Sequence, residues 1–351
     1  MNDWLIGAAL ASVVVAATVA VLTRDPARQA VVLAALGLGL AGALMCWQQR
    51  HLKRLLAFST ISHVGLFLVG IALLTPHGLT GTAVYVAGHG LAKAALFGLT
   101  GALLDRFGSV DEHGLYGRAR AMRPTGVLFV VGALALTGLP PFGTGLGKAP
   151  TEEDAGHWLP WLPAVFVVAS AAPGAAVLRA ALRIFWGAGP APQAGPGEEE
   201  ITGEGEEPEI RAAERPLPPA MLAVPGVLLL LALLLGSLPA VVPALAHGAA
   251  AFTDPEAYRA AVTAGTATVS HAEESAWWAA PGLALGCLPA GLAVALALFT
   301  VSRRPDPRPA LRPAERAVRG LRRLHSGHLG DYLAWLALGI AVLCAAVAAQ
   351  S

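Results

Sequence analysis

Charge is what this chain has least of. Only 13% of its 351 residues are Asp, Glu, Lys or Arg, against about 25% in soluble domains. That scarcity excludes an ordinary soluble globule, and the mean hydropathy of +0.61 agrees. Cysteine is nearly as scarce. Cys46, Cys287 and Cys344 stand in apolar runs without CxxC spacing, so no disulfide framework, zinc site or iron–sulfur cluster is expected. The start, Met1-Asn-Asp-Trp4, lacks a basic n-region, and the apolar run Leu5 to Leu22 is long for a signal peptide. It reads as a retained membrane span. Within the apolar runs there are no paired carboxylates and no nucleophile–base arrangement, so an enzyme acting on lipid has no support.

What the chain does have is long apolar runs. Crossing a bilayer takes about 20 apolar residues, and about nine runs qualify: 4–22, 30–48, 54–74, 82–104, 124–146, 160–186, 218–245, 280–301 and 330–349. The tryptophans fall near their ends, as an interfacial belt requires. The expected fold is an all-α, polytopic transmembrane helix bundle. Arg50, Lys53 and Arg54, then Arg106, Arg118, Arg120 and Arg123, then Arg303 to Arg323 occupy alternate connections. Basic connections face the cytoplasm, which puts the N-terminus inside in a multi-pass cell (inner) membrane protein. The connections 75–81, 149–159 and 246–279 are poor in Lys and Arg, and 149–159 carries Glu152, Glu153 and Asp154.

Two stretches stand apart. Residues 187–217 are rich in Gly, Pro and Glu, including Glu198-Glu-Glu200. Like charges repel and nothing there builds a core, so a disordered linker is expected. An acidic docking site for a partner is the alternative. Residues 309–325 space Leu311, Ala314, Val318 and Leu321 between arginines, which predicts an amphipathic helix on the cytoplasmic membrane surface.

Four motifs carry polar chemistry into apolar runs. Gly37-Leu-Gly39-Leu-Ala-Gly42 matches GxGxxG in letters. It lacks the βαβ setting that nucleotide binding needs, so close helix contact is the expected use. His89 and Lys93 are four residues apart within 82–104, hence on one helix face. A mid-membrane lysine costs about 2.5 kcal/mol or more and by default marks an ion or proton path; the other reading is a lysine snorkelling to the headgroups. His63 lies one turn beyond Ser59 and beside Ser62. It can exchange protons near neutral pH, or simply be a satisfied core residue. Lys53 and Arg54 sit at the cytoplasmic edge of that span, where topology anchoring explains them equally well.

The fourth motif is Thr137-Gly-Leu-Pro140-Pro141-Phe-Gly143-Thr-Gly145-Leu-Gly147-Lys148. Two prolines and four glycines interrupt a helix. Such backbone is tolerated at membrane depth where protein buries it or it lines a wet cavity, and transporters place ion sites at broken helices. The alternative is a connection between spans with Lys148 at the surface.

Taken together, the stretches LKRLLAFSTISHVG at 52–65, GHGLAKAALFGLTGALLD at 88–105 and LTGLPPFGTGLGK at 136–148 resemble the proton-conducting, antiporter-like membrane subunits of respiratory complex I and of Mrp-type cation/proton antiporters. HSGHLGDYLAW at 325–335 is similar to the tail of the Mrp-type members. The resemblance implies a first span at 1–29, a five-helix transporter repeat at 30–186, and C-terminal spans at 218–351. It implies that only the second half of such a subunit is represented, with the first repeat missing. It matches His89 and Lys93 to the family's histidine/lysine helix and Lys148 to the charged residue at its broken helix; with His63 from the residue reading, the expected proton pathway is Lys93, His89, Lys148 and His63, and the expected helix break is Pro140, Pro141, Gly143, Gly145 and Gly147.

Two functions follow. The first is an ion (proton) translocating subunit of a NADH-quinone oxidoreductase-like or Mrp-type complex. No redox cofactor or metal is expected in this chain, so a partner must run the driving reaction. The partners implied are other membrane subunits, including one that supplies the first repeat, and the lipid bilayer, with no role for nucleic acid. The second function is a non-conducting structural subunit, or truncated half-subunit, that scaffolds such a complex.

Overall fold

The computed structural model describes residues 26–192, 218–238, 241–263 and 280–302. The expected first span 4–22, most of the linker, the amphipathic helix 309–325 and the last span 330–349 lie outside the described residues. Among the described residues there are ten helices and no strand beyond one isolated bridge, His51 to Asp111. They are α1 (Pro26–Gln48), α2 (Leu52–Leu73), α3 (Pro76–Phe107), α4 (Arg123–Thr137), α5 (Gly143–Trp158), α6 (Leu162–Trp186), α7 (Ala220–Ser237), α8 (Val241–Thr253), α9 (Pro255–Val262) and α10 (Ala280–Ser302). Six of them, α1, α2, α3, α6, α7 and α10, are long and apolar enough to cross a membrane.

The longest helix, α3, is the axis of the bundle, packing against α2, α4, α5, α7 and α8. Its 32 residues span about 48 Å at 1.5 Å per residue, more than the hydrocarbon core. Thr75 caps its start by accepting from Gly78 N (3.1 Å), with Pro76 in the first turn where no donor is missed. Gly108, at φ +65°, ends it in the left-handed conformation that lacks a Cβ penalty.

Helices α1 and α2 meet almost backbone to backbone. A methyl on Gly42 would lie 2.5 Å from Ser62 N, and Gly65 sits over Gly39. Gly37 faces open space. The GxGxxG letters are therefore a helix-contact surface carried by Gly39 and Gly42. Ser62 closes the contact by donating to Gly39 O (2.8 Å), and it also reaches Ala169 O of α6 (2.9 Å).

Two expected boundaries are corrected. The run 124–146 is not one span. Helix α4 stops at Thr137, and α5 begins at Gly143 and runs on to Trp158 through the stretch read as the connection 149–159. The acid-rich letters Thr151-Glu-Glu-Asp154 look solvated, but α5 turns Glu152 inward and leaves Glu153 outside. The run 218–245 ends as a helix at Ser237, and Val241 starts a separate helix.

The end of the bundle carrying residues 49–54 and 108–122 is fastened by charge. Arg179 of α6 donates from Nε (3.2 Å) and Nη2 (3.0 Å) to Glu112 Oε2, from Nη1 to Trp47 O (2.8 Å) and from Nη2 to Gln49 O (2.9 Å). Arg183 lies 3.4 Å from Glu112 Oε1, and Arg50 lies 3.3 Å from Asp111 Oδ2. Asp111 and Glu112 are buried. The connection between α3 and α4 is thus clamped onto α6 and onto the turn between α1 and α2.

Candidate functional site

The break between α4 and α5 exposes the last carbonyls of α4, which must find donors. Gly138, at φ +89°, turns the chain and returns its N–H to Ala135 O and Leu134 O. Thr144 donates to Ala135 O, and Lys148 Nζ donates to Thr137 O at 3.1 Å. The ammonium therefore sits at the negative end of a half-helix, where a cation is favoured. Gly138 leaves room for it, since a methyl there would lie 3.3 Å from Lys148 Nζ. Pro140 and Pro141, joined by a cis bond, lie in the break itself. Gly143, Gly145 and Gly147 lie just beyond it, in the first turns of α5. Gly236 of α7 packs on Pro141 and Phe142, and Gly286 of α10 packs on Pro140. Helices α7 and α10 thus cover part of the non-helical backbone, as a break at membrane depth requires, although Pro141 itself stays exposed.

Lys148 is fully buried. Its ionic partner is Glu152, one turn later, at 3.6 Å and also fully buried. That distance makes an ion pair but not a hydrogen bond. Neither oxygen of Glu152 has a hydrogen-bond partner.

Lys93 of α3 is 6% exposed. Its ammonium donates to Leu56 O and to Ser59 Oγ of α2. Ser59 in turn donates to Leu56 O at 2.8 Å. These acceptors are neutral, so the Lys93 site differs in kind from the Lys148 site. The Phe97 ring lies 6.0 Å from Nζ.

Two buried histidines lie beside the Lys93 site at the contact of α2 and α3. His89, one turn before Lys93, has its ring 4.5 Å from that of His63 on α2. His63 Nδ1 pairs with the Tyr85 hydroxyl at 2.6 Å. Phe67 stands edge-on to both Tyr85 (4.8 Å) and His89 (5.4 Å) and fixes the rings. His63 Nε2 and both nitrogens of His89 have no hydrogen-bond partner. Buried polar atoms are nearly always paired, so this cluster of unpartnered nitrogens inside an apolar bundle is unusual.

The structure thus gathers His63, His89 and Lys93 at the contact of α2 and α3. Lys148 lies near enough to act on His63 electrostatically. Lys53 and Arg54 are elsewhere, half-buried in the first turn of α2. Two residues escaped sequence reasoning. Glu152 has a readable signal, its i,i+4 spacing from Lys148, which the loop assignment hid. Tyr85 has a signal only in hindsight, its place one turn before His89.

Residues 4–172 match the family model described as NADH:quinone oxidoreductase/Mrp antiporter, transmembrane. A NAD(P)H-quinone oxidoreductase chain 4 from Synechococcus sp. is 39% identical over 107 residues, 30% of this chain and 20% of the relative. Its counterpart from Synechococcus elongatus is 42% identical over 115 residues, 32% of this chain and 22% of that one. The chain therefore spans about a fifth of the length of the curated relatives it matches. In fold it is similar to a chain of the Mrp complex from Dietzia sp., with a TM-score of 0.54 and 22% identity over 90% of this chain and 33% of that chain. Over residues 4–172, just under half of its length, the chain is similar to the NADH:quinone oxidoreductase/Mrp antiporter transmembrane family.

Proposed function

We propose that this protein is a proton-translocating membrane subunit of a complex I-like or Mrp-type assembly, and that Lys93, His89, His63 and Lys148 are its relay. The observation that carries this is two buried lysines and two under-bonded histidines inside one apolar bundle. A lysine in a dry bundle changes its protonation readily, unlike arginine. A proton arriving at one site raises the potential at the next, so charge moves along the line by repulsion. The driving reaction belongs to partner membrane subunits, among them one carrying the first repeat. The basic end of the bundle faces the cytoplasm.

The second reading is a structural subunit, and one observation favours it. Lys93 is already tied to Leu56 O and Ser59 Oγ, which would suit a fastening role. Substitution separates the two. Lys93→Ala should lower proton flux in vesicles by on the order of 100-fold at unchanged assembly. Lys93→Arg should also fail to conduct, because arginine stays protonated. A conducting arginine variant together with an alanine variant that does not assemble would select the structural reading.

A further inference from the structure

We propose that Tyr85 is a positioning residue of the relay, whose hydroxyl fixes the proton of His63 on Nε2 and closes Nδ1 to a second one. This rests on the translocation reading above and gives the two histidines different parts in it.

Tyr85 is fully buried in α3, and His63 is fully buried in α2. The hydroxyl meets His63 Nδ1 at 2.6 Å. A phenol and a neutral imidazole can share such a contact in two ways. In the first, the O–H donates to Nδ1 and the ring carries its one proton on Nε2. In the second, Nδ1–H donates to the phenol oxygen, and the phenol proton needs another acceptor. Among the described residues only His63 meets the hydroxyl with hydrogen-bonding geometry. Ser170 of α6, its next polar neighbour, bonds Phe166 O at 2.7 Å. A buried donor is nearly always spent on an acceptor, so the first arrangement is the one the packing selects. The bond made by one ring nitrogen then decides what the other carries.

A second proton on His63 has to enter at Nδ1, where the phenol proton already lies. His63 therefore stays neutral until that O–H turns away. His89 is under no such restraint, since neither of its nitrogens has a hydrogen-bond partner. Its ring lies 4.5 Å from that of His63, and it stands one turn from Lys93. Of the pair, His89 is the histidine open to a proton, with a neutral ring held beside it.

A buried tyrosine bonded to a histidine is by itself an ordinary core contact. Two observations set this one apart. The Phe67 ring lies 4.8 Å from that of Tyr85 and 6.5 Å from that of His63, so both ends of the contact are held in place. Nε2 of His63 has no partner, whereas a histidine that only fastens two helices is expected to use both nitrogens.

The test is solid-state NMR of the assembled complex in membranes, labelled on its histidine ring nitrogens. The His63 signal is the one lost in His63→Gln. At neutral pH it should show a neutral ring protonated on Nε2. Tyr85→Phe keeps the ring against Phe67 and removes only the hydroxyl, so protonation should there spread to Nδ1. An Nδ1–H ring in the unaltered protein, or an Nε2–H ring unmoved in Tyr85→Phe, overturns the proposal. Proton flux in vesicles is measured alongside. Tyr85→Phe should assemble normally and lose flux by on the order of 10-fold, the usual loss when the group orienting an imidazole is removed. Full flux in Tyr85→Phe beside none in Lys93→Ala overturns the part given to Tyr85 and leaves the lysine line standing. Full flux in both overturns the translocation reading itself. If Tyr85→Phe does not assemble, the spectrum of the unaltered protein decides: Nε2–H supports the proposal and Nδ1–H overturns it.

Discussion

The clamp at the basic end and the polar line in the middle use similar residues to opposite ends. In the clamp, each buried carboxylate touches a guanidinium. Glu112 has Arg179 and Arg183, and Asp111 has Arg50 and the backbone N–H of His113 (2.8 Å). In the line, Lys93 has no carboxylate among its described partners, Glu152 has one cation beyond hydrogen-bonding distance, and His89 has no hydrogen bond at all. The difference lies in commitment. A multiply bonded charge fixes the chain and cannot move. An under-bonded charge leaves its proton somewhere to go. Arginine, which holds its proton, fills the clamp, and lysine and histidine, which release theirs, fill the line.

The sharpest break of this comparison is at Arg179. Arg179→Ala removes the bidentate partner of a buried carboxylate and the donors to Trp47 O and Gln49 O. Stability should fall by about 3–5 kcal/mol, the usual effect of stripping one partner from a buried pair. Unfolding of the purified protein and the amount of assembled complex are the measurements. Flux per assembled complex should be unchanged. Lys93→Ala should do the reverse, and equal effects of the two variants on assembly would erase the distinction.

The Lys148 site lies between the extremes and sharpens the contrast. Lys148→Met leaves Glu152 buried alone, and Glu152→Gln leaves the ammonium without its counter-charge. The double variant removes both charges and should be more stable than Lys148→Met by about 1–3 kcal/mol, because an uncompensated buried charge is worse than none. Simple additivity in the unfolding cycle would mean the pair is not coupled. At the break, Gly138→Ala forces a side chain into φ +89° and against Lys148. Strain there should cost about 1–3 kcal/mol, and flux should fall as well, since the ammonium is pushed off its seat. Loss of stability with normal flux would detach Lys148 from the line.

How much of this was legible in the letters follows from the range of each signal. Apolar length gave α1, α2, α6 and α10 to within a few residues, but α3 is longer than its run and the runs at α4 and α7 overshot the helix ends. The i,i+4 register of His89 and Lys93 was visible because helix geometry is local. So was the interruption at Pro140–Pro141, which fixed φ and missing N–H groups announce. What stayed hidden is tertiary. No local pattern says that Tyr85 meets His63 across 22 residues, or that Glu112 meets Arg179 across 67. Glu152 was misplaced for a different reason. Three consecutive acids read as solvated, and only the bundle around α5 shows that the first faces inward.

The smallest effect expected concerns His113, a titratable ring in the clamp. It lies outside the spans, half-buried, 3.1 Å from Arg50. Burial first, then Arg50 and Arg183, hold its imidazole below its ordinary value, against the weaker pull of Glu112 and Asp111. The unfolded chain therefore takes up this proton at a higher pH than the folded one, near the ordinary value of about 6.5. His113 supports the fold above that pH, and its support fades as the pH falls towards the folded value. Unfolding at pH 7.5 and 5.5 should show the decline, and His113→Gln, which cannot titrate, should flatten it without altering flux. A steeper decline in the glutamine variant would mean that the protonated ring strengthens the clamp, so that even its histidine would be committed to holding charge in place.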